Sequence, residues 1–142
     1  MQILGIGTEI VECPRIGRMI EQHGELFLRR VYTEREIRSC QARRRALEHF
    51  AARWAAKEAV LKALGTSWRH GLCWTDLEVR HESDGPPRVL VRGGVRDVVA
   101  RRGATDILLS LSHCRTYATA YALVVGVLPS AGPPNLEQGD SG

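Results

Sequence analysis

Glu58 and Lys62 form the first pair of residues whose types and spacing indicate chemistry. They lie in residues 43–65, a proline-free stretch rich in helix-forming residues that ends at a glycine and predicts one long helix. At about 100° per residue, Glu58 falls about 40° from Trp54, inside the apolar stripe, and Lys62 lies one turn further on at its edge. A carboxylate in that stripe must be paired, protonated or bound to a metal. An ion pair with Lys62 and a metal site both fit the pattern. The stripe consists of Leu47, Phe50, Ala51, Trp54 and Leu61.

Glu9 is a second carboxylate in an unusual setting. Residues 2–12 alternate as a β-strand, with isoleucines on one side and Gly5, Gly7 and Glu9 on the other. Because glycines leave the backbone open to close approach, Glu9 can reach a metal ion or a cation bound to a diphosphate. The alternative interpretation is an exposed glutamate on an edge strand.

The composition excludes several classes of protein. The chain has 142 residues, which predicts one domain, and its 44% hydrophobic and 25% charged residues are typical of a globular protein. No segment has the length and apolarity of a membrane span, and a cytoplasmic location is expected. Four widely spaced cysteines match neither a zinc motif nor a disulfide scaffold. The net charge of +4 favours an acidic partner or a phosphorylated ligand. An RNA-binding domain is disfavoured, because the sequence shows no aromatic stacking platform.

The elements that must position these residues predict an α+β fold, with a small antiparallel sheet packed on the long helix and additional short helices. Residues 14–22 form a short helix whose outer face carries Arg15 and Arg18. Thr33 and Glu36 form a capping box. The arginine clusters, such as the one at residues 43–45, are expected to be solvated helix faces. Further strands are expected at 72–81, 88–91, 106–112 and 117–127, with a helix at 94–102 and a disordered tail at 129–142.

Three stretches of the chain together resemble the holo-acyl-carrier-protein synthase family of 4′-phosphopantetheinyl transferases. They are GIGTEIVECPRI, FAARWAAKEAVLKALGTS and LSLSHCRTYATA, at residues 5–16, 50–67 and 109–120. The central W-x-x-K-E-x-x-x-K pattern, between an acidic strand upstream and a Ser-His pair downstream, is more specific than any one piece. The resemblance covers residues 1–128, which are expected to form a single transferase domain.

The resemblance implies transfer of the phosphopantetheine arm of coenzyme A to a serine of apo-acyl carrier protein, with Mg²⁺ required and adenosine 3′,5′-bisphosphate released. It implies Glu9 and Glu58 as metal ligands, and Arg15 and Arg18 as contacts to the carrier protein. Members of this type are commonly homotrimers with active sites between subunits. The resemblance leaves open whether the carrier serves fatty-acid, polyketide or peptide synthesis. The positions that it implies for contact with coenzyme A are Arg53, Lys62, Gly65, Ser112 and His113.

Attack on a diphosphate builds negative charge on oxygen, so such a site needs a divalent cation and fixed positive side chains more than a covalent nucleophile. Lys62, one turn from Glu58, can reach the same phosphates. The attacking serine must lose a proton, and the candidate acceptors are Glu58, a water on the metal and His113. Catalytic roles are therefore expected for Glu58, Lys62 and His113.

Two departures from the family pattern affect these expectations. Glu9 stands where the family usually has aspartate, and its extra methylene moves the carboxylate by about 1.5 Å. Ser67 stands where a glycine is typical, in a loop where a left-handed backbone would be less comfortable. The alternative function is therefore a catalytically impaired module that binds coenzyme A or the carrier protein.

Overall fold

The computed structural model describes residues 1–81 and 84–127, and it confirms the α+β fold. The predicted strand–helix order is confirmed, while the proposed tail at 129–142 lies outside the described residues. In chain order the elements are β1 (Gln2–Glu12), α1 (Cys13–His23), α2 (Glu25–Val31), α3 (Glu34–Gln41), α4 (Ala46–Ala63), β2 (Leu77–Arg80), β3 (Arg88–Val91), α5 (Gly93–Arg101), β4 (Ala104–His113) and β5 (Tyr117–Gly126).

The strands form two antiparallel sheets. The larger one has the order β1-β5-β4, so the first strand of the chain pairs with the last, and β2 and β3 form a separate hairpin. Helix α4 packs against the larger sheet, and its short neighbours α1 and α3 cover its other sides. In the described part of the chain, no helix is long and apolar enough to cross a membrane.

Helix α4 ends as its sequence predicts. The backbone of Gly65 is left-handed, with φ of 69°, and the N–H of Thr66 donates to the carbonyl of Leu61 at 3.0 Å. This is the Schellman arrangement, which satisfies carbonyls that the end of a helix leaves free. The predicted capping box of α3 is also present, with Thr33 and Glu36 bonding to each other's backbone N–H.

The burial of α4 differs from the predicted single stripe. Phe50, Ala51 and Leu61 are buried as expected, but Leu47 and Trp54 are only partly buried. The helix has neighbours on most of its surface, so further residues of the helix are also buried. They are Glu48, Ala52, Arg53, Ala55, Ala56, Lys57, Ala59, Val60 and Ala63.

Strand β1 packs through its glycines rather than through its isoleucines. A Cβ on Gly7 would collide with the carbonyl oxygen of Ala59, and one on Gly5 would collide with the carbonyl of Ala63. Ile6 and Ile10 point away from α4 and remain 66% and 61% exposed. The predicted alternation is therefore correct, and the side with small residues is the one that faces the helix.

Lys57, the first lysine of the W-x-x-K-E-x-x-x-K pattern, is a buried cation to which the sequence analysis gave no role. Its Nζ lies 2.8 Å from Oε1 of Glu36, and it also donates to the carbonyls of Val31 at 2.6 Å and Trp74 at 3.2 Å. Both charged side chains are fully buried. Burial lowers the pKa of Lys57, while the charge of Glu36 raises it. This ion pair ties α3 and α4 together.

We expect Lys57→Ala to destabilise the fold by about 3–5 kcal/mol, because it leaves the Glu36 carboxylate buried without its partner. The measurement is urea unfolding followed by circular dichroism. Arg29→Ala is the control, since it breaks an exposed 3.0 Å ion pair with Glu25 and should cost less than about 1 kcal/mol. Equal losses in the two variants would contradict the structural role of the buried pair.

Candidate active site

Glu9 and Lys62 meet where α4 crosses β1. The Nζ of Lys62 lies 3.3 Å from Oε2 of Glu9 and donates to the carbonyl of Thr8 at 3.1 Å. The other oxygen of Glu9 accepts the N–H of Ile10 at 3.1 Å. The ion pair of Lys62 is therefore with Glu9, between helix and strand, and the interpretation of an ion pair between Glu58 and Lys62 within the helix is wrong.

Glu58 is partly buried, and its Oε1 accepts the indole N–H of Trp68 at 3.1 Å. Burial raises the pKa of Glu58 above its usual value, and the Trp68 hydrogen bond lowers it. The charge of Glu9 raises the same pKa, while Lys62 and Arg15 lower it. The carboxylates of Glu9 and Glu58 therefore flank Lys62, which contacts the first and lies one helical turn from the second.

This pair of carboxylates suits a hard divalent cation. Within residues 1–81 and 84–127, no group of three or more His, Cys, Asp and Glu side chains could hold a metal, so a cation bound here would need oxygen ligands from water or substrate besides Glu9 and Glu58. Mg²⁺ is typically bound by one or two carboxylates together with waters and substrate phosphates. A cation would also relieve the repulsion between Glu9 and Glu58, so the residues fit a magnesium ion.

His113 lies in a different place, beside the first turn of α4. Its Nδ1 is 2.9 Å from Oε1 of the buried Glu48. The hydrogen bond with His113 lowers the pKa of Glu48. Glu48 and Glu58 are ten residues apart on one helix, which is about 15 Å along its axis. Within one chain, the structure therefore does not bring His113 to the carboxylate pair.

A basic pocket of about 560 Å³ surrounds His113. The arginines at residues 43–45 line it; Arg44 and Arg45 are exposed as expected, but these residues form a turn rather than a helix face. No periodic signal could have shown this, because these residues precede α4 rather than lying on a helix face. The lining residues are Arg43, Arg44, Arg45, Glu48, His49, His113, Cys114 and Arg115.

The other residues expected to contact coenzyme A have different surroundings. Arg53 is 1% exposed, and it donates to the carbonyl of His49 and the hydroxyl of Ser39, both at 3.4 Å. Among the residues that the structure describes, its Nε finds no hydrogen-bond partner. Gly65 and Ser112 are exposed. Contact of these residues with coenzyme A stays a prediction, and the burial of Arg53 within the chain counts against it there.

The structure removes one of the two concerns raised by departures from the family pattern. Ser67 has φ of −147° and ψ of 169°, an extended backbone that any residue adopts. In the described part of the chain, positive φ values occur only at glycines. The expected discomfort at Ser67 is therefore wrong, because the left-handed residue of this loop is Gly65.

Arg15 lies next to an apolar pocket of about 550 Å³. Its guanidinium carbon is 5.3 Å from the ring centre of Trp54, which is a cation–π distance. Trp54 stacks on Trp74 with ring centres 5.6 Å apart, and Trp74 stacks on Trp68 at 4.2 Å. Sequence reasoning found no aromatic cluster, because these three residues are separated along the chain. The pocket is lined by Arg15, Ile16, Met19, His23, Leu26, Phe27, Arg30, Val31, Trp54 and Trp74.

The family model of the 4′-phosphopantetheinyl transferase superfamily matches residues 5–122. The chain belongs to this superfamily. A holo-[acyl-carrier-protein] synthase of Rhodopirellula baltica is 48% identical over 125 residues, which are 87% of this chain and 98% of that protein. The chain is therefore a phosphopantetheinyl transferase of the holo-[acyl-carrier-protein] synthase type.

Solved structures of this transferase type share the fold. The holo-[acyl-carrier-protein] synthase of Neisseria meningitidis matches with a TM-score of 0.79 at 28% identity, over 87% of this chain and 99% of that one. A synthase of Bacillus anthracis, solved in complex with CoA (3′,5′-ADP), matches with a TM-score of 0.71 at 31% identity, over 87% of this chain and 97% of that one. The transferase fold thus extends over nearly all of the described residues.

His49 gives a direct check on the electrostatics of the basic pocket. Burial, together with the charges of Arg43 and His113, lowers its pKa to about 4 from the usual 6.5. We expect its ring protons to titrate near pH 4 in NMR spectra, and Arg43→Ala to move that midpoint upward. Because the folded-state pKa lies below the unfolded one, the contribution of neutral His49 to stability is complete above pH 6.5 and is lost as pH falls towards 4. A midpoint near 6.5 would contradict the buried, cation-flanked setting.

Proposed function

We propose that this transferase moves the 4′-phosphopantetheine group of coenzyme A to a serine of an apo-acyl carrier protein. The names of the relatives support the activity, and the Bacillus anthracis complex supports coenzyme A as the donor. The observation in this chain that carries the proposal is that Lys62, one helical turn from Glu58, pairs with Glu9 at 3.3 Å. A cytoplasmic location is part of the proposal, and it is consistent with four free cysteines in the described residues.

The reaction replaces one bond to phosphorus by another. The serine oxygen forms a bond to the phosphorus that carries the pantetheine arm, while the bond from that phosphorus to the bridging oxygen breaks. The bridging oxygen leaves with adenosine 3′,5′-bisphosphate. Glu9 and Glu58 would hold Mg²⁺, which when bound supplies positive charge to the diphosphate oxygens. Lys62 is half exposed and can turn its ammonium from Glu9 to the same phosphates.

The serine proton needs an acceptor near the carboxylate pair. Burial raises the pKa of Glu58, which makes this carboxylate a stronger base than an exposed glutamate. Glu58 or a water beside it therefore fits the role. His113 of the same chain is held by Glu48 in the basic pocket, so we assign it to phosphate binding rather than to proton transfer. Arg43, Arg44 and Arg45 would bind a phosphate at the adenosine end of coenzyme A in that pocket.

The carrier protein would dock on α1 and the apolar pocket next to it. Arg15 and Arg18 are exposed on this helix, and Arg30 lies at the same pocket. Carrier proteins of this class are acidic, so positive charge on α1 would steer them towards the site. Arg15 also lowers the pKa of Glu58, which supports a docking surface near the carboxylate pair.

The active unit we propose is a homotrimer with sites between subunits. The sheet face that points away from α4 exposes Ile6 (66%), Tyr121 (57%) and Leu108 (50%), and contiguous exposed apolar residues mark interaction surfaces. The carboxylate pair and the basic pocket are separated along α4. A second copy that covers the sheet face would bring its own basic pocket towards the carboxylate pair. Three copies arranged in this way would form a closed ring with cyclic symmetry.

Purified protein with Mg²⁺ and coenzyme A should add the mass of phosphopantetheine to an apo-carrier protein, as seen by mass spectrometry. We expect Glu58→Ala to abolish the addition, because the variant loses one of two candidate metal ligands. The control is Glu34→Ala, which removes an exposed carboxylate on α3 and should transfer at the wild-type rate. Absence of a mass shift with several carriers and divalent metals would count against the proposed reaction.

One observation favours the alternative of an impaired binding module. Both oxygens of Glu9 are already engaged, one by Lys62 and the other by the N–H of Ile10. Glu9→Asp in the same assay discriminates between the two functions. A loss of turnover shows that the site is built around the longer acid, whereas a large gain shows that Glu9 impairs the enzyme.

Sedimentation velocity tests the trimer. We expect the wild type to sediment as three chains. Tyr121→Glu should sediment as one chain, because a charge on the sheet face opposes burial of that face between subunits. The separated chain should also bind coenzyme A much more weakly. Leu26→Glu is the control, since it places the same charge on an exposed apolar residue of α2, away from the sheet. A wild-type monomer that still transfers the group would exclude the shared site.

A further inference from the structure

The carboxylate of Glu58 is held by a neutral donor. Its Oε1 accepts the indole N–H of Trp68 at 3.1 Å, while the nearest cation on the helix, Lys62, pairs with Glu9. Trp68 lies in a 3₁₀ turn, Trp68–His70, that follows the end of α4. The contact therefore joins the middle of the helix to the loop that leaves it.

The indole of Trp68 is itself fixed by stacking. Its ring lies 4.2 Å from that of Trp74 with 20° between the planes, and Trp74 lies 5.6 Å from Trp54 with 27° between the planes. Trp54 and Glu58 are one turn apart on α4, so the stack starts and ends on the same helix. All three tryptophans are partly buried. This arrangement restricts the direction in which the Trp68 N–H points.

An indole suits the support of a metal ligand. It has one N–H and no acceptor, so it occupies one carboxylate oxygen and leaves the other free for a further ligand. Because it is neutral, it does not compete with a cation for the negative charge of Glu58. Groups that orient the ligands of a metal in this way typically contribute 10–100-fold to metal affinity or activity.

We propose that Trp68 is a positioning residue, whose indole N–H holds Oε1 of Glu58 and turns the remaining oxygen towards the divalent cation. The inference rests on the proposed function, since it takes Glu58 as a ligand of that cation. Trp68 acts only through Glu58 and the stack of three tryptophans.

The test compares Trp68→Phe with Trp74→Phe in the full chain. Both substitutions keep an aromatic ring in the stack, and only the first removes a hydrogen bond to Glu58. Mn²⁺ is the probe, titrated in the presence of coenzyme A and followed by the electron paramagnetic resonance signal of the free ion. We expect Trp68→Phe to weaken Mn²⁺ binding by about 10-fold. Trp74→Phe, which keeps the Trp68 hydrogen bond and changes only the ring that fixes it, should weaken binding much less.

The transfer assay supplies a second readout. The Mg²⁺ concentration for half-maximal rate should rise in Trp68→Phe by the same factor as the Mn²⁺ dissociation constant, and saturating Mg²⁺ should restore most of the rate. Equal Mn²⁺ affinities in the two variants, with a wild type that transfers the group, would overturn the role of Trp68 alone. A wild type that neither binds Mn²⁺ nor transfers the group would overturn the proposed function as well.

The wild-type protein provides a measurement that does not depend on the folding of a variant. The chain has three tryptophans, so a ¹⁵N-labelled sample should show three indole N–H resonances in NMR spectra. We expect Mn²⁺ to broaden the Trp68 resonance most, and Glu58→Gln to shift it. Trp54→Phe and Trp74→Phe identify the other two signals. Equal broadening of all three signals would contradict the proposed contact.

Discussion

The close packing of α4 on β1 is the constraint on which the rest of the structure depends. The carbonyls of Ala59 and Ala63 lie where a side chain on Gly7 or Gly5 would have to be, so the strand can carry only hydrogen at these positions. That contact sets the distance between helix and sheet, and it brings Lys62 of the helix within 3.3 Å of Glu9 of the strand. The chemistry of the site follows from backbone packing rather than from a flexible loop.

Because α4 is enclosed by neighbours, it must bury charge as well as alanine. The pair of Lys57 and Glu36 satisfies this demand with several hydrogen bonds, including the N–H of Val79 to Glu36 at 2.8 Å. An ion pair in such a setting adds little net stability over apolar packing, but breaking it is costly. Its hydrogen bonds join α3 and β2 to the helix that carries Glu58.

Local features of the fold could be predicted from the sequence, and contacts between distant segments could not. The end of α4 at Gly65 and the capping box at Thr33 depend only on residues close to them in the sequence, so a short segment is enough to predict each. The simplest interpretation assigned the wrong ion-pair partner to Lys62. Spacing within a helix favours Glu58, whereas the tertiary contact with β1 supplies Glu9. The tryptophan stack could not be foreseen, because it requires the turns after α4 to fold back over Trp54.

The position of His113 gives the strongest physical argument for more than one copy at each site. The resemblance implies that His113 belongs to the same site as Glu58, yet within one chain it pairs with Glu48 in the first turn of α4. A rigid helix cannot shorten the intervening 15 Å or so of axial distance. A single ligand whose phosphates contact both groups must therefore either extend along the helix or use the basic pocket of a neighbouring chain. The exposed apolar face of the β1-β5-β4 sheet, with Ile6 and Tyr121, supplies a surface through which such a neighbour can be held.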